Sequence, residues 1–426
     1  MNNEKIKVSV IMANYNNDDY LPDSIESVLN QTYKNIELII IDDNPSNEGK
    51  AHQDIKNYQL MKWVHYFNIP ESKVKRIFKA IYLILVNFYK HPVKILKALS
   101  IFKYKKEALS LRLLYIAVPF LGKDFNIIHC HFGPNGVLGV LLRDIGAVNG
   151  KVVTTFHGYD MSSYIVKEGT NIYNFLFEKG DVFLPISEYW EKKLMELGCE
   201  GDKIIVHRMG IDLDKFSLKL SKENKSGVVK LITVARLVKK KGIEYGVRAV
   251  VEIIKKYPNI KCSIVGDGPL RNMLEDLIIE LGAKGKINLL GSKKQDKIIK
   301  LMQNSDILLA PSVTTEEGDQ EGIPVVLMEA QATGLPVIST HHTGIPEVVL
   351  DGKSGFLVPE RDIDALAEKL EYLIEHPEIW PDMGRAGRKF VEERYDINKL
   401  NKRVVEIYRA LHTNNVNELE RLKRYQ

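Results

Sequence analysis

Short apolar runs alternate with amphipathic stretches along most of this chain, and the alternation occurs in two series. The first has strand-like runs at 7–13, 36–42, 126–130, 151–156, 181–185 and 203–206. The second has them at 229–235, 260–266, 286–290, 306–310, 335–339 and 354–358. Stretches such as 242–257 and 271–282 lie between them and carry a helical period. Strands separated by helices cannot pair as hairpins, so the pattern predicts α/β layers with parallel sheets. Each series suffices for one doubly wound sheet, so two Rossmann-like domains facing across a cleft are expected. With 426 residues the chain is too long for one ordinary core. The periodicity lapses in the polar run 216–227, which divides an N-terminal domain at 1–215 from a C-terminal one at 228–395. Helices are expected at 378–394 and 397–412, and the charged tail 413–426 is expected to fray.

Charge is placed unevenly. The net charge is +5, yet residues 72–106 hold ten Lys or Arg and no Asp or Glu, so the remainder sums to −5. This stretch also contains Ile77, Phe78, Ile81, Tyr82, Leu85 and Phe88. A basic amphipathic helix fits a membrane surface, and it equally fits an ordinary helix with a solvated face. Nucleic acid is not expected, because no recognition motif accompanies the charge. The three cysteines are far apart, which excludes a disulfide scaffold and suits a reducing, cytoplasmic setting. The polar start Met1-Asn2-Asn3-Glu4-Lys5 predicts no signal peptide, and no apolar run is long enough to span a bilayer.

In the second half, Val234-Ala235-Arg236 ends a strand and is followed by Lys239-Lys240-Lys241-Gly242 and a helix. Two cations and a helix start at a strand end suit a phosphate; the alternative is a solvated basic turn. Glu321-Gly322-Ile323-Pro324-Val325 precedes an apolar helix that contains Glu329. Its first amides are free to meet an anion, and Glu321 could serve neutral hydroxyls or simply cap the helix. Gly266-Asp267-Gly268-Pro269 and Gly344-Ile345-Pro346-Glu347 are further strand-to-helix turns. Together, in this order and spacing, these pieces resemble the retaining glycosyltransferases of family 4, which have the GT-B fold.

In the first half, His129-Cys130-His131-Phe132-Gly133-Pro134, Phe156-His157-Gly158-Tyr159-Asp160 and Leu184-Pro185-Ile186-Ser187 sit at strand ends. Three histidines could suggest zinc, but no carboxylate or cysteine lies at ligand spacing, so no metal site is expected. These motifs, with Gly318-Asp319-Gln320-Glu321, look like the colanic acid branch of family 4, which builds bacterial exopolysaccharide on a lipid carrier. That likeness covers about 125–412.

Residues 7–43 differ. Val8-Ser9-Val10-Ile11-Met12-Ala13-Asn14-Tyr15-Asn16 and Glu37-Leu38-Ile39-Ile40-Ile41-Asp42-Asp43 resemble the opening of a family 2, GT-A glycosyltransferase. The metal-binding DxD of that family does not follow in context: Asp212-Leu213-Asp214 borders the linker and Asp362-Ile363-Asp364 opens a helix. A family 2 βαβ opening joined to a family 4 body is the reading. The acidic loop 13–19 lacks the glycine that would let backbone approach a phosphate.

The resemblance implies a retaining transfer of a hexose from a nucleotide sugar to a lipid-linked oligosaccharide. The expected donor is UDP-linked, with galactose as a candidate, and no metal or other cofactor is needed. It gives His157, Glu321, Arg236 and Lys241 catalytic roles. Gly266, Gly268, Gly322, Ile323, Pro324, Val325 and Glu329 would hold the donor, and His131, Gly133, Asn14 and Tyr15 would line the acceptor side. The helix at 396–412 would cross back to the N-terminal domain, and the enzyme would be cytoplasmic, in peripheral contact with the membrane through 72–106. Two other readings stand beside this one: a catalytically silent hybrid that binds nucleotide sugar, and a metal-dependent family 2 enzyme.

Overall fold

The computed structural model describes residues 8–14, 36–42, 69–70, 72–219 and 227–424. Two parallel sheets form. The first holds β1 (Val8–Asn14), β2 (Ile36–Asp42), β3 (Ile127–His131), β4 (Lys151–Phe156) and β5 (Val182–Pro185) in the order β2-β1-β3-β4-β5. The second holds β6 (Val229–Val234), β7 (Ile260–Val265), β8 (Ile287–Leu289), β9 (Ile307–Ala310), β10 (Val337–Thr340) and β11 (Gly355–Val358) in the order β11-β10-β9-β6-β7-β8. Sheets covered on both faces need near-continuous apolar strands, which is why β5 and β9 read as unbroken runs. Strand order reverses between β1 and β3 in one sheet and between β6 and β9 in the other. Crevices open beyond the C-terminal ends of the strands at such points.

The two halves are packed together. Trp190, Phe156 and Tyr173 share one buried cluster with Ile323, Leu327 and Ile345 from the second half. Each such side chain removed from water contributes about 1.5–3 kcal/mol. Arg208, 4% exposed, binds Glu188 at 2.7 Å and Glu347 at 3.1 Å. Glu347 in turn accepts the amides of Glu188 and Tyr189, both at 3.0 Å, and so caps the helix Glu188–Glu196 from across the interface. The helix Ile397–His412 follows the second half and lies against the first: Tyr408 Oη meets His129 Nδ1 at 2.5 Å.

Three expectations are corrected. Residues 203–206 form no strand. They run beside β5, with one bridge from Ile204 to Phe183 and the Ile205 amide bound to the Phe183 carbonyl, and the pairing is too short to extend the sheet. The tail does not fray throughout, because Val416–Arg424 is a helix. Its Leu422 is buried, and the Leu422 carbonyl accepts a hydrogen bond from Arg403 at 2.7 Å. The basic stretch is three helices rather than one: Lys73–Phe88, Pro92–Ala98 and Ile101–Leu109. Pro92 has no amide to donate, so it starts a new helix instead of continuing the first.

Candidate active site

The second sheet sends four loops to one edge. Arg236 follows β6 and is exposed there. The turn beneath it needs glycine: Gly266 has φ +140°, and a Cβ on it would lie 1.8 Å from the Ala235 carbonyl oxygen. Gly268 lies similarly against Leu237. The Gly266-Asp267-Gly268 turn therefore sets the path of the Arg236 loop.

Lys239–Lys241 form a short helical turn ending in Gly242 at φ +58°. It aims Lys241 Nζ at Glu321 Oε2, 2.8 Å away, with Lys240 Nζ 3.9 Å from Oε1. Lys240 also binds Asp319 at 3.2 Å. The Glu321 side chain is 8% exposed. Burial pushes its carboxyl up, but Lys241 and Lys240 outweigh this and hold it below the usual range. Glu321 Oε1 accepts no hydrogen bond, which leaves an acceptor for a ligand hydroxyl.

The Glu321 backbone is fixed by residues that the sequence left unremarked. Its amide donates to His342 Nε2 at 3.0 Å, so that nitrogen carries a lone pair and Nδ1 carries the proton. His342 Nδ1 then donates to Glu360 Oε1 at 2.6 Å. Glu360 is also bound by the Thr314 amide at 2.7 Å. Gly322, Ile323 and Pro324 lead into the helix Val325–Thr333, whose N-cap Pro324 has no side chain to bond the first amides. Glu329 lies half-buried in its second turn.

From the first sheet, β3 and β4 deliver His131 and His157 side by side. His131 Nδ1 is 2.9 Å from His157 Nε2, and the rings stack with centroids 5.1 Å apart. Behind them His129 stacks on His131 at 4.6 Å and bonds Thr155 Oγ1 at 2.7 Å. Tyr408, His129, His131 and His157 thus form a ladder from the crossing helix to the edge of the sheet. Burial disfavours charge along it. The His131 imidazole is pushed down to about 4, and those of His129 and His157 lie well below their ordinary value for the same reason, with neighbouring histidines adding to it.

Asp160 organises the turn that carries His157. It is fully buried and accepts the amides of Gly133 at 2.9 Å, His157 at 2.9 Å and Gly158 at 3.0 Å. Burial pushes its carboxyl up to about 6, against the pull of those amides. Gly133 itself is covered by the Tyr173 ring, 2.4 Å from where a Cβ would be. Asn14 ends β1 at the same edge of the sheet, and Tyr15 and the acidic loop lie outside the described residues.

The two sets of loops meet. A Cβ on Gly158 would lie 2.8 Å from Gly322 Cα, and one on Gly322 would lie 2.2 Å from the His157 carbonyl oxygen. The His157 and Glu321 turns are therefore in backbone contact, and only glycine permits it. Asp160, Lys240, His342, Glu360 and Tyr408 were missed by sequence reasoning. Asp160 alone left a signal, as the acceptor three residues after His157 in a short polar turn. Among the described residues, no group of three or more His, Cys, Asp or Glu is placed to hold a metal ion.

Comparison with known proteins shows the family and the fold. Residues 215–390 match the model for glycosyl transferases group 1, residues 82–215 that for glycosyltransferase family 4, and residues 9–70 that for glycosyl transferase family 2. The Escherichia coli K12 protein WcaL, assigned to colanic acid biosynthesis as a glycosyltransferase, is 38% identical over 322 residues, 74% of this chain and 78% of WcaL. The amylovoran biosynthesis glycosyltransferase AmsK of Erwinia amylovora is 34% identical over 374 residues, 86% of this chain and 90% of AmsK. A glycosyltransferase from Rickettsia africae superposes with a TM-score of 0.69 over 97% of this chain and all of its own, at 20% identity. Anabaena Alr3699/HepE, solved with UDP and glucose, gives 0.68 over 95% of this chain and all of its own, at 16% identity. Those neighbours extend over both sheets and establish the fold as GT-B. The chain belongs to glycosyltransferase family 4 and is of the colanic acid and amylovoran exopolysaccharide biosynthesis type.

Proposed function

We propose that the chain transfers a hexose, with retained configuration, from a UDP-sugar to a hydroxyl of a lipid-linked oligosaccharide. The observation that carries this is the backbone contact between the His157 and Glu321 turns, which joins the histidine-bearing turn of one sheet to the turn of the other that holds the Lys241–Glu321 pair. UDP as the carrier is supported by the structural neighbour solved with UDP and glucose. The lipid carrier puts the reaction at the inner face of the cytoplasmic membrane.

Cleavage of the donor leaves negative charge on the departing diphosphate. Arg236, Lys241 and the amides of Gly322, Ile323 and Val325 are preorganised to meet that charge, so no divalent ion is required. Glu321 Oε2 is already engaged by Lys241 and its carboxylate is held ionised. It serves as an acceptor for donor hydroxyls rather than as a nucleophile. Glu329 would bind the ribose. The acceptor hydroxyl attacks the anomeric carbon on the face from which the diphosphate leaves, and its proton passes to a diphosphate oxygen. His157, kept neutral by burial, sits beside the donor sugar as a hydrogen-bonding group.

The test is nucleotide release in EDTA from a panel of nucleotide sugars, UDP-galactose included, with a lipid-linked oligosaccharide extract as acceptor. Release from one donor, lost in Glu321→Ala, is the expected result. Nucleotide binding without release from any donor overturns the proposal in favour of a silent hybrid. Arg236→Ala should lower turnover at least about 100-fold, since a preorganised charge of this kind is worth about 2.7–4 kcal/mol.

A further inference from the structure

The helix Lys73–Phe88 has its apolar face turned outward. Val74, Phe78, Ile81, Tyr82, Leu85 and Tyr89 fall at helical spacing on one side, and all are exposed, Phe78 at 70% and Leu85 at 72%. The inward side is short and partly polar. Ala80 packs on Ile95, Leu114 and Tyr115, Arg76 Nε binds the Pro70 carbonyl at 2.9 Å, and Tyr115 Oη donates to the Arg76 carbonyl at 2.6 Å. The helix is thus held by its own inner contacts while most of its apolar surface faces away from the protein. The next two helices continue the surface with Val93, Leu96, Ile101 and Phe102, all exposed. Contiguous exposed apolar area of this extent marks an interaction site.

The charge identifies the partner. Lys73, Lys75, Lys90, Lys97, Lys105 and Lys106 are exposed around these side chains, Lys103 is paired with Asp144 at 2.6 Å, and residues 72–106 contain no acid. A surface that is both apolar and uniformly cationic complements an anionic bilayer, where acyl chains take the rings and phosphates take the ammonium groups. Among the described residues no helix is long and apolar enough to cross a membrane. We infer that the helices Lys73–Phe88, Pro92–Ala98 and Ile101–Leu109 lie in the plane of an anionic lipid surface and dock the enzyme there. The inference rests on the proposed function only for why docking is useful, since it would bring a lipid-carried acceptor to the acceptor-side domain. Lipid binding needs neither donor nor acceptor, so its failure and the failure of the transferase reading are separable.

The experiment is co-sedimentation of the full chain with phosphatidylcholine vesicles containing 30% phosphatidylglycerol (roughly the anionic fraction that gives a strong surface potential), without nucleotide sugar. Binding is expected, with at least tenfold weaker binding to pure phosphatidylcholine and a marked loss in high salt. Two variants keep the result separate from folding, because both change exposed side chains only. Phe78→Ser with Leu85→Ser, and Lys73→Glu with Lys75→Glu, Lys90→Glu and Lys97→Glu, should each weaken vesicle binding tenfold or more with unchanged circular dichroism. Absence of binding to anionic vesicles, or equal binding by both variants, overturns the inference. So does a dimer in sedimentation that the Phe78/Leu85 variant dissolves while vesicle binding is absent, since the surface would then join two copies of the chain.

Discussion

Lys241→Ala tests the electrostatic core of the site through stability as well as turnover. Lys241 Nζ lies 2.8 Å from Glu321 Oε2 and Lys240 Nζ lies 3.9 Å from Oε1, with side chains 18%, 15% and 8% exposed for Lys241, Lys240 and Glu321. At an effective dielectric of about 20 these separations correspond to attractions of about 6 and about 4 kcal/mol. Lys240 therefore retains part of the compensation once Lys241 is gone, and the loss should fall at the low end for a broken buried pair, about 3 kcal/mol. The sign of the pH dependence follows from the carboxyl. In the parent chain its value is depressed, so its contribution is complete above the ordinary carboxylate range and is lost only as pH falls through the depressed value. Without Lys241 burial gains the upper hand, Glu321 takes up a proton more readily, and the buried charge is relieved as pH falls. The stability deficit of Lys241→Ala, measured by urea unfolding, should be largest at pH 7.5 and narrow by pH 5.5. Adding Glu321→Gln should recover at least half of it at pH 7.5. A deficit under about 1 kcal/mol, one that is equal at both pH values, or no recovery in the double variant would refute the argument.

Other expectations follow from the same geometry. Gly158→Ala meets both a positive φ of +114° and the Gly322 backbone at 2.8 Å, so turnover should fall at least about tenfold; a parent-like rate would show that the two turns part easily. Histidines buried in the neutral form lower stability on the acid side: His129, His131, His157 and His207 all have depressed values, burial being the first cause. Stability should be level above about pH 6.5 and decline below it, by up to about 1.4 kcal/mol per pH unit for each, until the depressed values are passed. A urea midpoint unchanged from pH 7 to 5 would contradict this. Asp42 ends the edge strand β2, two strand spacings or about 10 Å from β3. Asp42→Asn should leave nucleotide release in EDTA within about twofold of the parent, since the proposed route draws nothing from that carboxylate. Inactivation by that change alone, together with a requirement for metal, would favour a family 2 mechanism.

Local regularities were legible in the sequence, and contacts between distant segments were not. Buried parallel strands announce themselves as apolar runs, so β2 and β4 fall on the expected residues and the others shift at their ends by only one or two. The 203–206 run has the same composition, but what it lacks is pairing beyond one bridge, and pairing belongs to the partner. Glu321, Lys241 and His157 were singled out because each stands in a strand-end turn with a recognisable pattern. Tyr408 lies 279 residues from His129, and nothing near either residue signals their bond. His342 lies between an expected strand and the expected Gly344 turn, yet its part in fixing the Glu321 amide depends on Glu360 folding back over it. The outward apolar face at 74–89 was visible only as amphipathicity, because periodicity defines a face without saying which way it points.

The family 2 likeness at the start of the chain becomes understandable in terms of sheet backbone. β1 pairs with β2 from Val8–Ile36 to Asn14–Asp42 and with β3 from Val8–Ile127 to Ile11–Cys130, all parallel. Such ladders use amides and carbonyls that every residue carries, so a pair of parallel strands of other ancestry can occupy this place if the strands are apolar and long enough. Asn14 stands three residues beyond the pair Ile11–Cys130, about 10 Å along the strand, at the edge of the sheet where His131 and His157 stand. The groups proposed to act on the donor lie elsewhere: Arg236, Lys241 and Glu321 in the second half, and His157 on a turn set by Asp160. The histidine ladder is completed by Tyr408 from the crossing helix. On the proposed reading, replacing the opening unit would leave donor chemistry in place and alter the surface offered to the acceptor, so an exopolysaccharide transferase could change the sugar chain it extends while keeping the sugar it adds.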